Sequence, residues 1–271
     1  MAQPLCPICG ADLLQDEKQW HCPNGHSFDV ARQGYVNLLP VTQKHSLHPG
    51  DTKEMVAARK EFLDAGYYLP IAHTLREILC KENPKAVLDV GCGEGYYLTQ
   101  ALPKDSEGWG VDISKDAVRY ASARNKNASW LVATGSHLPF GEESFDCVLS
   151  MFALTEEGEF SRVLRKGGLM VIVTARRDHL LGLKEIIYPQ LLLKEENLAP
   201  QYEDFTLERE IPVDFSFTLT SSAMVQNLLA MTPHFWRISK DGALRTAETQ
   251  SLTDTARVLF RLYRKKGDSL C

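Results

Sequence analysis

Three cysteines and a histidine near the start of this 271-residue chain carry a spacing that could hold a metal ion: Cys6-Pro7-Ile8-Cys9, then twelve residues, then Cys22-Pro23-Asn24-Gly25-His26. Ligands two or three residues apart can close in pairs onto one tetrahedral ion, and thiolates with an imidazole are a donor set that zinc takes. Four protein ligands, Cys6, Cys9, Cys22 and His26, leave no open position, so the zinc would be structural. Gly10, Pro23 and Gly25 stand where the two knuckles must turn tightly. His21 competes with His26 as fourth ligand, but it adjoins Cys22, and adjacent residues reach one ion only with poor geometry. Cys80, Cys92, Cys147 and Cys271 are scattered singly and read as small apolar or surface residues.

A second group of residues points to nucleoside chemistry. The apolar run Ala86-Val87-Leu88-Asp89-Val90 ends in Gly91-Cys92-Gly93-Glu94-Gly95-Tyr96-Tyr97, a G-x-G-x-G turn that lets a ligand approach the main chain closely. Asp89 precedes the turn, and Asp112 ends the next apolar run, Trp109-Gly110-Val111-Asp112. A carboxylate at that point can accept hydrogen bonds from both ribose hydroxyls of a nucleoside lying across the strand ends.

These groups need a scaffold, and the pattern from residue 86 supplies one. Short apolar runs at Ala86–Val90, Trp109–Asp112, Trp130–Ala133, Asp146–Ser150 and Leu169–Val173 alternate with helical stretches. That alternation predicts an α/β fold, a mostly parallel, doubly wound sheet. Val258-Leu259-Phe260 with Leu262-Tyr263 reads as a last strand that closes it. Ahead of the sheet, Ser27–Pro40 alternates like a strand and reads as packing of the metal module, and residues 41–50 read as a linker. Asp51, with Glu54 three residues on, predicts the N-cap of a helix that Gly66 stops; a second helix runs through Ile71, Leu75, Ile78 and Leu79. The expected division is a zinc module over 1–40, a helical linker over 41–84, and a sheet domain over 85–271 with a substrate-facing insertion around 176–235.

With 30 basic and 35 acidic residues the net charge is -5, which gives no global electrostatic reason for a nucleic-acid partner. The distribution says more. From Arg237 onward, Arg237, Lys240, Arg245, Arg257, Arg261, Arg264, Lys265 and Lys266 face only Asp241, Glu248, Asp254 and Asp268; Arg162, Arg165, Lys166, Arg176 and Arg177 form a second basic concentration. Seven cysteines without a secretory signal argue against a disulfide framework, and no apolar run approaches the roughly 18 residues of a membrane span, so a cytoplasmic chain is expected.

The glycine loop, Asp112 and the segment Gly135-Ser136-His137-Leu138-Pro139-Phe140 together resemble class I S-adenosylmethionine methyltransferases over residues 86–175. A closer resemblance adds the Cys6, Cys9, Cys22, His26 array, Gly34–Leu39, Phe62–Tyr68, Gly91–Tyr97 and Leu229–Pro233. In this order these blocks are similar to the bacterial 23S ribosomal RNA guanine-N1 methyltransferases. The resemblance implies methyl transfer from S-adenosyl-L-methionine to N1 of a guanine in a 23S RNA hairpin, a zinc module (Zn2+) that helps bind RNA, and a homodimer. It also implies cofactor contacts by Tyr68 and His179, beside Asp89, Gly91, Gly93, Glu94, Gly95, Tyr96, Asp112 and His137.

Two loops depart from the family pattern. Phe152-Ala153-Leu154 stands where an aromatic residue, alanine and proline are usual, and Thr174-Ala175-Arg176-Arg177-Asp178 replaces a proline-rich segment. The Leu138-Pro139-Phe140 loop, shared with small-molecule methyltransferases, keeps such an enzyme open as an alternative, and the two departures keep open an RNA-binding protein whose catalytic site has decayed. No residue is marked as catalytic. Glu94, Asp178 and His179 are candidates to take the guanine proton, and Tyr96, Phe152 and Trp236 to stack on a splayed base.

Overall fold

The computed structural model describes residues 2–43, 50–191 and 198–267; residues 44–49 of the expected linker, 192–197 of the expected insertion, Asp268 and Cys271 lie outside them. Three short antiparallel strands, β1 (Leu14–Gln15), β2 (Gln19–His21) and β3 (Ser27–Asp29), carry the two knuckles. Strand β4 (Val36–Asn37) then leaves this small sheet. Two helices follow, α1 (Lys53–Asp64) and α2 (Leu69–Glu82). The α1 N-cap is Thr52, whose hydroxyl accepts the Met55 N–H, and not Asp51 as expected; the Asp51 carboxylate is taken instead by Arg59 one helical face away. Gly66, at φ +85°, ends the first helix as expected.

The large sheet is built from β5 (Ala86–Val90), β6 (Glu107–Asp112), β7 (Ser129–Val132), β8 (Phe145–Met151), β9 (Leu164–Ala175), β10 (Phe205–Leu219) and β11 (Leu252–Lys265), joined by α3 (Tyr96–Ala101), α4 (Lys115–Arg124), α5 (Glu157–Val163), α6 (Leu181–Ile187), α7 (Ser222–Ala230) and α8 (Lys240–Glu248). Its order is β10-β11-β9-β8-β5-β6-β7-β4. β11 alone runs against the others. Chain order reverses at β5, which pairs with both β6 and β8, and the crevice at the carboxyl ends of strands beside such a reversal is where open α/β sheets bind ligands.

Two sequence expectations change here. β11 does not close the sheet: β10, inside the stretch expected as an insertion, lies outside it along a register from Phe205–Lys265 to Leu219–Leu252. Its run Glu208-Arg209-Glu210 is too charged to read as a strand, yet an edge strand with solvent beyond it tolerates such residues. Nor does Ser27–Pro40 stay within the metal module. Val36 and Asn37 pair in parallel with Leu131 and Val132, and Leu38 N–H donates to the Val132 carbonyl at 2.9 Å, covering the edge that β7 would otherwise expose.

The metal module shares the sheet's core. Leu13, Trp20, Cys6 and Cys22 are buried in one cluster with Leu88, Trp109 and Phe140, and Trp20 meets Trp109 edge-on at 6.2 Å. The opposite face of the sheet packs against α1, α2, α3 and α7 through Phe62, Ile71, Leu75, Leu98, Val225 and Leu228. Among the described residues no helix is long and apolar enough to cross a membrane.

Candidate active site and metal centre

The two knuckles bring four ligand atoms together. The Sγ atoms of Cys6, Cys9 and Cys22 and a ring nitrogen of His26 all lie within 4.8 Å of one another. Zinc legs of about 2.3 Å to sulfur and about 2.05 Å to nitrogen, at tetrahedral angles, place two sulfurs about 3.8 Å apart and sulfur from nitrogen about 3.5 Å. The observed Cys9–Cys22 separation is 3.7 Å, and His26 Nδ1 stands 3.6 Å from Cys6 and 3.5 Å from Cys22. Backbone bonds set the frame: Cys6 N–H to Ala11 O at 2.8 Å and Cys22 N–H to His26 O at 3.0 Å. The Asn24 amide donates to Cys9 Sγ at 3.3 Å and holds that thiol down, at about 6, which favours the thiolate a metal needs. His21 sits on β2, outside the cluster.

At the carboxyl end of β5 the glycine loop forms a cradle of backbone. Gly91, Gly93 and Gly95 all have positive φ, at +74°, +56° and +78°. A Cβ on Gly91 would lie 2.5 Å from Ala153, and one on Gly95 would lie 2.6 Å from Trp130 and 2.8 Å from Ala121, so two of the three are fixed by packing as well as by backbone shape. A Cβ on Gly93 would meet nothing nearer than Arg59 Nη1 at 3.8 Å, so this glycine borders open space. Asp112 braces the loop: its carboxylate accepts the Gly93 N–H at 2.9 Å and the Ser114 N–H at 2.8 Å. Burial pushes its carboxyl up, and those two donors oppose the shift.

Asp89 differs. It is 1% exposed, and neither carboxylate oxygen has a hydrogen-bond partner. Burial first, and then Asp112 and Glu94 as like charges, push it up to about 8. A buried carboxyl without donors is a cost that a cationic ligand would relieve. Glu94 is also buried, and its pKa is raised by burial against Arg124 and Arg59; Arg124 reaches its carboxylate at 3.5 Å and its carbonyl at 3.1 Å. Arg124 further binds Asp64 at 2.6 Å and covers the Tyr96 ring at 5.6 Å.

Tyr68 and His179, 111 residues apart, meet at 3.3 Å between Oη and Nε2. His179 Nδ1 lies 3.0 Å from Arg257 N and 3.1 Å from Arg257 O, so in either tautomer the Arg257 backbone engages Nδ1 and Tyr68 Oη engages Nε2. Burial, with Lys184 nearby, drops the His179 pKa to about 4. The imidazole is therefore neutral with both nitrogens engaged, which leaves it no lone pair with which to take a guanine proton. The Tyr68 ring packs between Phe62, at 5.1 Å, and Phe215 and Phe217, both at 6.0 Å.

The structure thus gathers Asp89, Gly91, Gly93, Glu94, Gly95 and Asp112 at the end of β5 and β6, and pairs Tyr68 with His179 beside Phe215 and Phe217. His137 is exposed on the loop after β7, its Nδ1 3.3 Å from Ser136 Oγ. Of the candidate stacking residues, Tyr96 is 3% exposed beneath Arg124 and cannot take a base, while Phe152 and Trp236 are exposed. The basic carboxyl end is not a bare cationic patch: Arg261 binds Glu210 at 2.8 Å, Arg264 binds Glu82 and Glu208 at 2.9 Å, and Arg257 binds Asp178 at 3.4 Å. Sequence reasoning missed Arg59 and Arg124, which reach the loop from α1 and α4. Arginines on amphipathic helices carry no sign of which of them the fold turns toward a neighbouring loop.

Comparisons with known proteins place these parts in one family. The profile described as "RlmA, N-terminal", a zinc ribbon, matches residues 5–47, and a methyltransferase-domain profile matches residues 88–172. A 23S rRNA (guanine(748)-N(1))-methyltransferase of Streptomyces fradiae is 36% identical over 96% of this chain and 95% of its own length. A Bacillus subtilis protein assigned as a 23S rRNA (guanine-N(1)-)-methyltransferase is 31% identical over 93% of this chain and 94% of its own. The malonyl-[acyl-carrier protein] O-methyltransferase of Hahella chejuensis is 30% identical over only 58% of this chain and 61% of its own. The match to the first two relatives runs over nearly the whole of both chains, and the chain belongs to the 23S rRNA (guanine-N1)-methyltransferase family.

Proposed function

We propose that this chain transfers a methyl group from S-adenosylmethionine to N1 of a guanine in a hairpin of 23S ribosomal RNA. One observation carries the reading: identity to relatives named for that reaction runs along nearly the whole chain, ribbon included, whereas the match to an acyl-carrier-protein enzyme covers little more than half.

The cradle suits the cofactor's chemistry. S-adenosylmethionine brings an electrophilic methyl on a cationic sulfur, which an in-line displacement moves to the acceptor nitrogen. Asp112, whose oxygens keep lone pairs beyond the two backbone donors, would take the ribose hydroxyls. The unpartnered Asp89 carboxyl would face the cationic amino-acid portion, and the open side of Gly93 would admit it against the main chain. Glu94, Gly91, Gly95 and Tyr96 shape the loop, Tyr68 and His179 would reach the cofactor, and the His137 loop would run beside the adenine. Cys6, Cys9, Cys22 and His26 would hold zinc with no open position, so the ion would fix the ribbon and take no part in transfer.

With both His179 nitrogens engaged, Glu94 buried against Arg124, and Asp178 paired with Arg257 with its Oδ1 buried, the guanine proton would go to solvent. Positioning then supplies most of the catalysis. The ribbon would help bind RNA, and the active species would be a homodimer in the cytoplasm, where ribosomes are assembled. Reverse transcription across 23S RNA from cells with and without the gene tests the reading. A methyl on the Watson–Crick edge of guanine blocks extension, so a gene-dependent stop is expected, and its absence would overturn the proposal.

A further inference from the structure

Phe152 combines three features that a merely structural residue would not. Its backbone is left-handed, at φ +57°, a conformation disfavoured for a bulky side chain. The residue is 41% exposed. And it opens the loop that presses on the glycine cradle, because the next residue, Ala153, fills the space where a Gly91 side chain would be.

The surrounding bonds hold the conformation in place. Phe152 N–H donates to Val173 O at 2.9 Å, and the buried Ser150 hydroxyl donates to the carbonyl of Ala153 at 3.2 Å. Thr155 Oγ1 in turn donates to Ser150 Oγ at 3.4 Å. Backbone strain fixed by its surroundings and spent on keeping an apolar ring in water points to a function for the ring. Its aromatic neighbour is Tyr97, 6.1 Å away and tilted by 45°, on the first turn of α3, the helix the glycine loop opens. Trp236, the other exposed candidate, stands on the turn Pro233–Arg237 with Phe235 against it at 5.4 Å.

We infer that Phe152 is the platform on which the target guanine stacks, an inference that rests on the proposed RNA acceptor. A base splayed out of a hairpin loop must be held in plane with its edge free, and an aromatic face does this without touching the Watson–Crick atoms. The ring at the end of β8, beside the loop after β5, fixes that plane where N1 can meet the donor methyl.

The experiment uses the full-length protein and 23S rRNA isolated from a strain lacking the gene, with transfer of a labelled methyl as one readout and affinity for S-adenosylhomocysteine as the other. Phe152→Ala is expected to lower kcat/KM for the RNA by about 10- to 100-fold, the usual range for loss of one base–aromatic stack, with cofactor affinity unchanged. Phe152→Tyr should restore turnover. Phe152→Gly should lose turnover as Phe152→Ala does and yet melt at a higher temperature than it, because glycine adopts the left-handed backbone without strain. Turnover of Phe152→Ala equal to wild type at low RNA concentration, or a loss that lies in cofactor affinity instead, would overturn the inference. A wild-type protein that binds the cofactor and leaves the RNA unmethylated would instead overturn the functional reading, and this inference with it.

Discussion

The zinc ribbon and the glycine cradle lie on one sheet and solve opposite problems. In the ribbon the protein supplies every partner: three sulfurs and a nitrogen stand at the separations of a tetrahedral ion, with backbone bonds fixing each knuckle. In the cradle the protein leaves partners out. Asp89 is buried with both oxygens unsatisfied, Gly93 borders open space, and burial raises the carboxyls of Asp89, Glu94 and Asp112 alike. A site closed by its own residues is stable as it stands; a site waiting for a ligand carries costs that binding relieves.

The sharpest test of the closed site is removal of one ligand. Structural zinc contributes about 10–16 kcal/mol in isolated fingers, so Cys9→Ser should lose most of the bound metal and loosen residues 2–40 to proteases. Because Trp20 and Cys22 share the core of Trp109 and Phe140, the sheet should lose some stability as well. Metal analysis with limited proteolysis reads both. One equivalent of zinc retained at unchanged stability would break the ligand set.

Within the cradle, Gly95→Ala is expected to have the next largest effect. Its side chain would meet Trp130 at 2.6 Å and Ala121 at 2.8 Å on a left-handed backbone, a clash worth about 3 kcal/mol or more. Gly93→Ala, with the same handedness and free space, should cost only about 1–2 kcal/mol of strain. Denaturant melts of the two proteins compare them directly, and equal losses would show that packing does not distinguish the glycines.

The same contrast explains what the sequence could disclose. The ribbon was legible because metal geometry fixes ligand spacing along the chain, and Cys6 to His26 span only a short segment. Ala86–Val90 and the glycine loop were legible for a similar reason, since strand, turn and helix are adjacent. Asp51 was misread because a cap and an ion-pair partner look alike in sequence, and Thr52 beside it caps as well. β10 was hidden because an edge strand need bury little, so its Glu208-Arg209-Glu210 run breaks the apolar pattern. The pairing of Tyr68 with His179, or Arg59 with the loop, joins distant segments through tertiary packing, for which no local pattern exists.

Protonation separates the regions further. Asp89 is held near 8 in the fold against an ordinary value near 3.8, so the folded, ligand-free protein keeps a proton that the unfolded chain has lost. Its contribution to stability is therefore full below pH 4 and fades as pH rises toward 8, at about 1.4 kcal/mol per unit. Asp89→Asn should flatten that decline, most visibly between pH 6.5 and 8, where His179 has finished titrating. It should also weaken S-adenosylmethionine binding by about 10- to 150-fold, since a charged partner to a buried cation is worth about 1.5–3 kcal/mol. A wild-type decline kept by the variant would remove Asp89 as its source.

The smallest expected effect asks whether the two sites are independent. Leu5, next to the ligand Cys6, donates its N–H to Pro139 O at 2.8 Å, and β4 pairs with β7 just before the loop that carries His137. Glu159 and Arg162 grip the same loop from α5, accepting Leu138 N–H at 2.6 Å and donating to Phe140 O at 2.6 Å. The loop is therefore held on one side by the sheet domain and on the other by the ribbon. Loosening the ribbon releases one of these grips, and a backbone hydrogen bond has a net worth of about 1 kcal/mol, which corresponds to about fivefold in affinity. S-adenosylhomocysteine titrated into the zinc-loaded protein and into Cys9→Ser should differ by that factor, with the loss at the adenine end reproduced by adenosine alone. Equal affinities would mean that α5 suffices to hold the loop and that the closed site supports the open one in no way beyond covering its edge strand.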